Sequence, residues 1–185
     1  MSDGWTLPFL IGPRVDLRPL DESDASMVVG WLNAPEIRQY LRVGRFPLNM
    51  ITERAFIQQI SNSKTDLSLI IVERQSGRPI GVTGLHAIDN IDRRAVFGIA
   101  IVRPEDRGRG FGTEVLRCMA RHGFTWLNLH RIELEVYANN PRAIASYKKV
   151  GFVEEGRQRS RVFLNGVFQD VVLMGLLAHE LVDQP

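Results

Sequence analysis

The chain has 185 residues, of which 44% are hydrophobic and 24% are charged, a composition typical of one globular domain with a sizeable core. Its formal net charge of +2 is too small to argue for a nucleic-acid partner. The single cysteine, Cys118, excludes an internal disulfide. Because no long apolar run and no leader-like N-terminus is present, we expect a cytoplasmic protein without a membrane partner.

The first part of the chain predicts one strand and two helices. Residues 14–20 alternate polar and apolar side chains, which indicates a strand, and Asp21 can cap a helix that ends near Asn33. A second helical pattern begins near Thr52. Between the two helices, residues 39–50 are rich in Arg, Gly and Pro, and we expect a loop or a short helix there.

The remaining residues predict most of a sheet and two further helices. The segments with a strand pattern are 67–74, 80–88, 94–102, 131–137, 161–164 and 168–177. The segments with a helical pattern are 113–127 and 141–151. This order predicts an α/β (α+β) fold with a mixed, mostly antiparallel sheet and helices on both faces. We expect one domain over residues 1–185, with a core of about 14–178.

The most informative local feature is the run from Arg107 to Gly112, which reads Arg-Gly-Arg-Gly-Phe-Gly and lies between an apolar strand and a helical pattern. Glycines let the backbone approach a ligand closely, and N–H groups at a helix N-terminus attract an anion. The spacing matches neither a Walker loop nor a dinucleotide fingerprint. The run therefore predicts a phosphate site for another ligand, although an ordinary connection is an open alternative for the turn alone.

A second motif follows the strand at 131–137. Asn140, Arg142 and Ala143 lie just past its end, and Tyr147 lies one helical turn beyond Ala143. A phenol, with an ordinary pKa of about 10, can protonate a leaving thiolate. The alternative is that Tyr147 packs in the core-facing stripe of its helix.

Together, the two motifs resemble the GNAT superfamily of acetyl-CoA-dependent N-acetyltransferases. Arg-x-x-Gly-x-Gly after a strand is followed one strand later by Asn-x-Arg-Ala-x-x-x-Tyr-x-x-x-Gly-Phe. Weaker matches at 18–20, 31–33, 81–84 and 165–174 are similar to its ribosomal-protein and polyamine acetyltransferase branch. The resemblance extends over nearly the whole chain.

The resemblance implies a sheet that splays between strands ending at Val102 and Tyr137, with acetyl-CoA as co-substrate in the gap and no metal. Its pantetheine arm would pair with the backbone near Ile101, and its pyrophosphate would lie on the glycine turn. Asn140 would bind the cofactor amide or orient a water, and Tyr147 would protonate the thiolate after direct attack by a primary amine. The implied cofactor-binding residues are Ile101, Val102, Arg107, Gly108, Arg109, Gly110, Phe111, Gly112, Thr113, Asn140, Arg142 and Tyr147.

The general base for the acceptor amine is not assigned by the resemblance. Many members carry a Glu on the strand before the glycine turn, where this chain has Val96. His86 on the preceding strand is one substitute, and a water chain to backbone carbonyls is another. An α-amine, with a pKa of about 7.7–8.0, needs less help than a lysine-like amine at about 10.4. We therefore favour an α-amine or amino-sugar acceptor over a polyamine.

The acceptor is open among a protein N-terminus, a polyamine, an amino sugar, an aminoglycoside and another small amine. Arg42 and Arg45, in the loop that we expect to line the acceptor site, disfavour a polycation at close range. The alternative function is a non-catalytic acetyl-CoA-binding sensor or scaffold, although Tyr147 argues against it. We expect a monomer or a homodimer.

Overall fold

A sheet of eight strands organises the described residues, which are 7–41 and 45–182 of this computed structural model. The strands are β1 (Leu10–Ile11), β2 (Val15–Pro19), β3 (Leu67–Glu73), β4 (Arg78–Asp89), β5 (Arg94–Ile101), β6 (Arg131–Tyr137), β7 (Val153–Leu164) and β8 (Val167–Leu177). The helices are α1 (Ala25–Asn33), α2 (Pro35–Arg38), α3 (Met50–Ser61), α4 (Phe111–Thr125) and α5 (Pro141–Lys148).

The strand order is β1-β2-β3-β4-β5-β6-β8-β7, and only β5 and β6 run parallel. This confirms the predicted mixed, mostly antiparallel sheet. β5 and β6 pair only through residues 94–96 and 131–133, although β5 continues to Ile101 and β6 to Tyr137. The two strands therefore part at their C-terminal ends and leave a gap in the sheet, as the resemblance implied.

Helices cover both faces of the sheet. On one face, α4 places Val115 and Met119 in the same core as the strand residues Leu69 and Ile71. Ile70 points to the opposite face, because side chains alternate along a strand, and it is fully buried as well. On that face lie α1 and α3, which pack against each other and bury apolar side chains of their own.

Two strands differ from the sequence prediction. β7 begins at Val153 rather than at residue 161, and β1 was not predicted. Residues 153–161 are mostly polar and exposed, because β7 is an edge strand of the sheet and buries little there. An edge strand of this kind carries no alternating apolar pattern from which it could be predicted.

The helix starts are set by capping residues. Asp21 caps a 3-10 turn, Glu22–Asp24, which leads into α1, so the regular helix begins later than predicted. The side chain of Asn49 accepts hydrogen bonds from the first turn of α3, which begins at Met50 rather than near residue 52. Among the described residues, no helix is both long and apolar enough to cross a membrane.

Candidate active site

The gap between β5 and β6 forms a cleft of about 660 Å³. The glycine turn, the start of α4, α5 and the segment around α2 complete its walls. The predicted site residues that line it are His86, Ile101, Arg107, Gly108, Gly110, Gly112, Thr113, Asn140, Arg142 and Tyr147. The fold thus brings the two sequence motifs to one cavity. The buried side chains of Val102 and Phe111 and the side chain of Arg109 lie outside its lining.

The glycine turn has the backbone that its sequence predicts. Gly108 and Gly110 have φ angles of 78° and 86°, in the left-handed region that favours glycine. Gly110 is the N-cap residue of α4, and no side chain caps this helix end. Because Gly112 and Thr113 line the cleft, the first N–H groups of α4 are available to an anion bound there. This arrangement fits a pyrophosphate group.

Arg107 holds the end of β5. Its Nε donates to the carbonyl oxygen of Ile101 at 3.0 Å, and its Nη2 donates to that of Val102 at 2.7 Å. The N–H of Val102 donates to the carbonyl oxygen of Ile80 on β4 at 3.0 Å. Because successive residues of an antiparallel strand direct their hydrogen bonds to opposite sides, the N–H groups of Ile99 and Ile101 face the gap. On the gap side, β5 therefore offers these two N–H groups and the carbonyl of Ile99 to a pantetheine arm, since Arg107 occupies the carbonyl of Ile101.

A buried carboxylate supports the turn through ion pairs. Asp106 is buried, and Arg78 donates to both of its side-chain oxygens at 2.7 and 3.0 Å. Arg109 forms an ion pair with Glu73 at 3.0 Å, and its guanidinium lies 4.6 Å from the centre of the Phe111 ring. The side chains of Arg109 and Phe111 are thus used in packing, and a cofactor contact through their backbone stays a prediction.

Asn140 is the N-cap residue of α5. Its Oδ1 accepts a hydrogen bond from the N–H of Ala143 at 3.2 Å, which fixes the start of the helix. The side-chain Nδ2 remains as a donor on a residue that lines the cleft. The predicted contact between Asn140 and a cofactor amide is therefore compatible with a structural role for its oxygen.

Tyr147 lies on α5, between the core and the cleft. Its ring packs against Phe152, with ring centres 6.0 Å apart, and against the main core. Burial raises the pKa of Tyr147 to about 12. The phenol therefore keeps its proton throughout the neutral range and is available as a donor. Both alternatives for Tyr147, packing and proton donation, fit this position.

His86 reaches the cleft from β4, where it is the cross-strand partner of Val96. Its Nδ1 lies 3.5 Å from Oδ1 of Asp66. Its neighbour Leu85 belongs to the core beneath α4, so His86 points to the opposite face of the sheet. The sequence did not indicate the contact with Asp66, because the two residues lie on different segments.

The segment around α2 supplies residues that the sequence analysis did not name. Ile37, Tyr40 and Leu41 line the cleft. Of the two arginines expected near the acceptor, Arg45 is exposed and Arg42 lies outside the described residues. Within the described part of the chain, no cluster of His, Cys, Asp or Glu side chains is arranged to hold a metal, and the absence of a metal stays a prediction.

Comparison with known proteins identifies the family of this chain. The family model of the acetyltransferase (GNAT) domain matches residues 14–153. The chain therefore belongs to the GNAT acetyltransferases, a family that uses acetyl-CoA, and it transfers an acetyl group to an amine. The resemblance drawn from the sequence motifs is confirmed.

Relatives of this chain include acetyltransferases of polyamines. It is 39% identical to a spermidine N(1)-acetyltransferase of Vibrio cholerae over 114 residues, which are 62% of this chain and 65% of that protein, less than two thirds of its length. It is 30% identical to a spermidine N(1)-acetyltransferase of Escherichia coli K12 over 166 residues, 90% of this chain and 87% of that protein. A crystal structure of the Vibrio cholerae spermidine N-acetyltransferase with CoA and spermine superposes with a TM-score of 0.83 at 30% identity, over 92% of this chain and 99% of that one.

These findings favour an enzyme over a binding-only sensor or scaffold. The structural relative holds CoA, in agreement with the co-substrate that the motifs implied. The acceptor of this chain, its site residues and its oligomeric state stay predictions.

Proposed function

We propose that this protein transfers the acetyl group of acetyl-CoA directly to a primary amine of low pKa, an α-amine or an amino sugar. The observation that carries the proposal is the charge of the cleft. Its described lining contains the cations Arg107, Arg142 and Lys149, and its carboxylates are Asp106 and Glu135. Positive charge therefore prevails in the lining.

Neither carboxylate is well placed to hold a polycation. Asp106 is buried, and Arg78 binds both of its oxygens. Glu135 is exposed, and Nη2 of Arg161 lies 3.5 Å from its Oε1. A polyamine carries a positive charge on each amine that is not being acetylated, and the described lining offers these charges no carboxylate that is not already paired with an arginine. An acceptor with a single amine needs no such partner.

A polyamine is the second candidate. The observation that favours it is the similarity to the spermidine N-acetyltransferases, one of which was crystallised with spermine. This candidate requires carboxylates beyond those of the described lining.

The cleft supports direct transfer through groups already described. The N–H groups of the glycine turn and of α4 would hold the pyrophosphate. A backbone N–H of Ile99 or Ile101, which face the gap, would stabilise negative charge on the thioester oxygen. The protonated phenol of Tyr147 would donate a hydrogen bond to the sulfur as the C–S bond breaks.

The test is kcat/KM between pH 6 and 9 for three acceptors: a short lysine-free peptide with a free N-terminus, glucosamine and spermidine. At neutral pH, the free-base fraction of an α-amine exceeds that of a polyamine amine by about two orders of magnitude. We expect the peptide or glucosamine to be the better substrate at pH 7, with a smaller difference at pH 9. A clear preference for spermidine at pH 7 would overturn the proposal in favour of the second candidate.

A further inference from the structure

We call the place where β5 and β6 stop pairing, next to residues 96–98, the throat of the cleft. The strands around His86 leave space for its imidazole at this throat. Gly84 on β4 and Gly98 on β5 are cross-strand partners. A Cβ at Gly84 would lie 2.7 Å from Nε2 of His86, and a Cβ at Gly98 would lie 3.7 Å from it. The ring therefore occupies space that a side chain at residue 84 would fill, and its Nε2 lies at the throat.

Asp66 holds the other side of the ring. Its Oδ1 lies 3.5 Å from Nδ1 of His86 and accepts from the N–H of Ala87 at 3.3 Å, while its Oδ2 accepts from the hydroxyls of Ser63 and Thr65 at 3.0 Å each. Burial opposes its ionisation, but these hydrogen bonds and the charge of His86 lower the pKa of Asp66 overall. An ionised carboxylate beside Nδ1 favours a proton on that nitrogen, which leaves the lone pair of Nε2 free toward the throat.

His86 and Tyr147 both line the cleft, and they approach it from opposite faces of the sheet. Tyr147 packs against the core beneath α4 and α5. His86 lies on the other face, and α2 supplies Ile37 as a further wall of the same cleft. An attacking amine and a leaving thiolate need a base and a donor on different sides of the acetyl carbon, and this arrangement supplies both.

We propose that His86 is the general base for the acceptor amine and that Asp66 is the residue that positions it. The proposal rests on acetyl transfer to an amine but is independent of which amine is the acceptor. Nε2 of His86 accepts one proton from the ammonium group, and the neutral nitrogen then forms the C–N bond to the acetyl carbon. As the C–S bond breaks, the nitrogen loses its second proton to water, and the thiolate, which accepts a hydrogen bond from Tyr147, takes up one proton from water to become the thiol. The net proton leaves to solvent through His86.

The charged groups near the His86 imidazole lie on the segment before β3 and on β6. Asp66, before β3, is the carboxylate that contacts the ring. Beyond Val96, Glu133 on β6 is bound by Arg94 at 3.0 Å and by Arg131 at 3.1 Å. Farther along β6 lies Glu135, which is paired with an arginine.

The test compares His86→Gln with His130→Gln, using the amine that the wild type acetylates fastest, whichever that is. His130 is exposed and is not part of the cleft lining, so it is a matched control. We expect His86→Gln to lower kcat/KM by about 10²- to 10⁴-fold. Acetyl-CoA affinity, measured by calorimetry, and the melting temperature should match those of the control.

The pH profile separates a base from a packing residue. In the wild type, the acidic limb of kcat/KM should fall at the same pH for two acceptors with different amine pKa values. In His86→Gln, kcat/KM should instead rise with pH up to the pKa of each acceptor. An unchanged rate and an unchanged acidic limb in His86→Gln would overturn the proposal, even if the preferred acceptor proves to be spermidine.

Asp66→Asn tests the positioning role. Loss of the negative charge beside Nδ1 should reduce kcat more than it changes KM, because the contact that orients the imidazole is weakened. Asp66→Glu, which restores the charge, should recover part of kcat. Values of kcat and KM identical to those of the wild type in Asp66→Asn would remove Asp66 from the proposal.

Discussion

Replacing Tyr147 with Phe removes one hydroxyl and keeps the ring that packs against Phe152. Burial raises the pKa of Tyr147 to about 12, whereas an alkyl thiol has an ordinary pKa of about 8.5. Complete proton transfer to the thiolate is therefore uphill by about 3–4 pKa units, on the order of 5 kcal/mol. The phenol is better suited to donating a charge-assisted hydrogen bond, worth about 1.5–3 kcal/mol. Tyr147→Phe should then lower kcat by about 10- to 160-fold.

The assay is single-turnover acetyl transfer from pH 7 to 10, with acetyl-CoA affinity measured by calorimetry as the control. Because the raised pKa keeps the phenol protonated until the pH approaches about 12, the ratio of wild-type to Tyr147→Phe rates should be constant over this range. A loss well beyond about 10³-fold would show that Tyr147 completes the proton transfer, contrary to the pKa argument. A wild-type rate would make Tyr147 a packing residue.

Three further predictions concern the turn, its support and α4. Gly110 and Gly77 both have left-handed φ angles, 86° and 66°, so Leu at either position should cost about 1–2 kcal/mol of stability. Only Gly110→Leu should also weaken acetyl-CoA binding in calorimetry, and equal affinities would refute the pyrophosphate site. Arg78→Met leaves the buried Asp106 carboxylate without its main partner, and urea unfolding should show a loss of about 3 kcal/mol; an unchanged midpoint would contradict this. Burial lowers the pKa of His122, so its contribution to stability is fully present above the unfolded pKa of about 6.5 and is lost as the pH falls from that value through the lower folded pKa. His122→Phe should therefore lose less stability than the wild type between pH 7 and 5, whereas parallel curves would refute the assignment.

Much of the fold could be predicted because its elements carry local patterns. The β-branched run of β3 and the apolar stripe of α4 were both assigned from their periodicity. The polar edge strand β7 begins well before the predicted segment at 161–164, because it is formed by backbone pairing with β8 and not by the burial of its side chains. A strand that is held by its neighbour's backbone and exposes its side chains leaves little trace in the sequence.

The candidate site was predicted only where one segment carries the signal. Gly108 and Gly110 mark a left-handed turn, and Tyr147 follows its motif at fixed spacing. In contrast, the contact between His86 and Asp66 joins two separate segments, and the imidazole fits there because Gly84 has no side chain. Such a contact depends on strand register, which no local pattern specifies.

The role of Arg107 was also beyond sequence reasoning. A positive charge in a glycine turn predicts a phosphate ligand, yet this guanidinium donates to the backbone carbonyls of Ile101 and Val102. The direction of a long side chain is set by the acceptors around it, here the unpaired end of β5. Apolar contacts such as that of Ile37 with the cleft were missed because buried apolar residues are common everywhere.

The most direct test of the central claim is a competition at pH 7. The enzyme is given acetyl-CoA with equal concentrations of a lysine-free peptide bearing a free N-terminus, glucosamine and spermidine, and the initial rates of the three acetylated products are measured by mass spectrometry. The charge of the cleft and the low pKa of an α-amine or amino sugar predict that acetyl-peptide or N-acetylglucosamine forms fastest. Acetylspermidine as the dominant product would contradict the account.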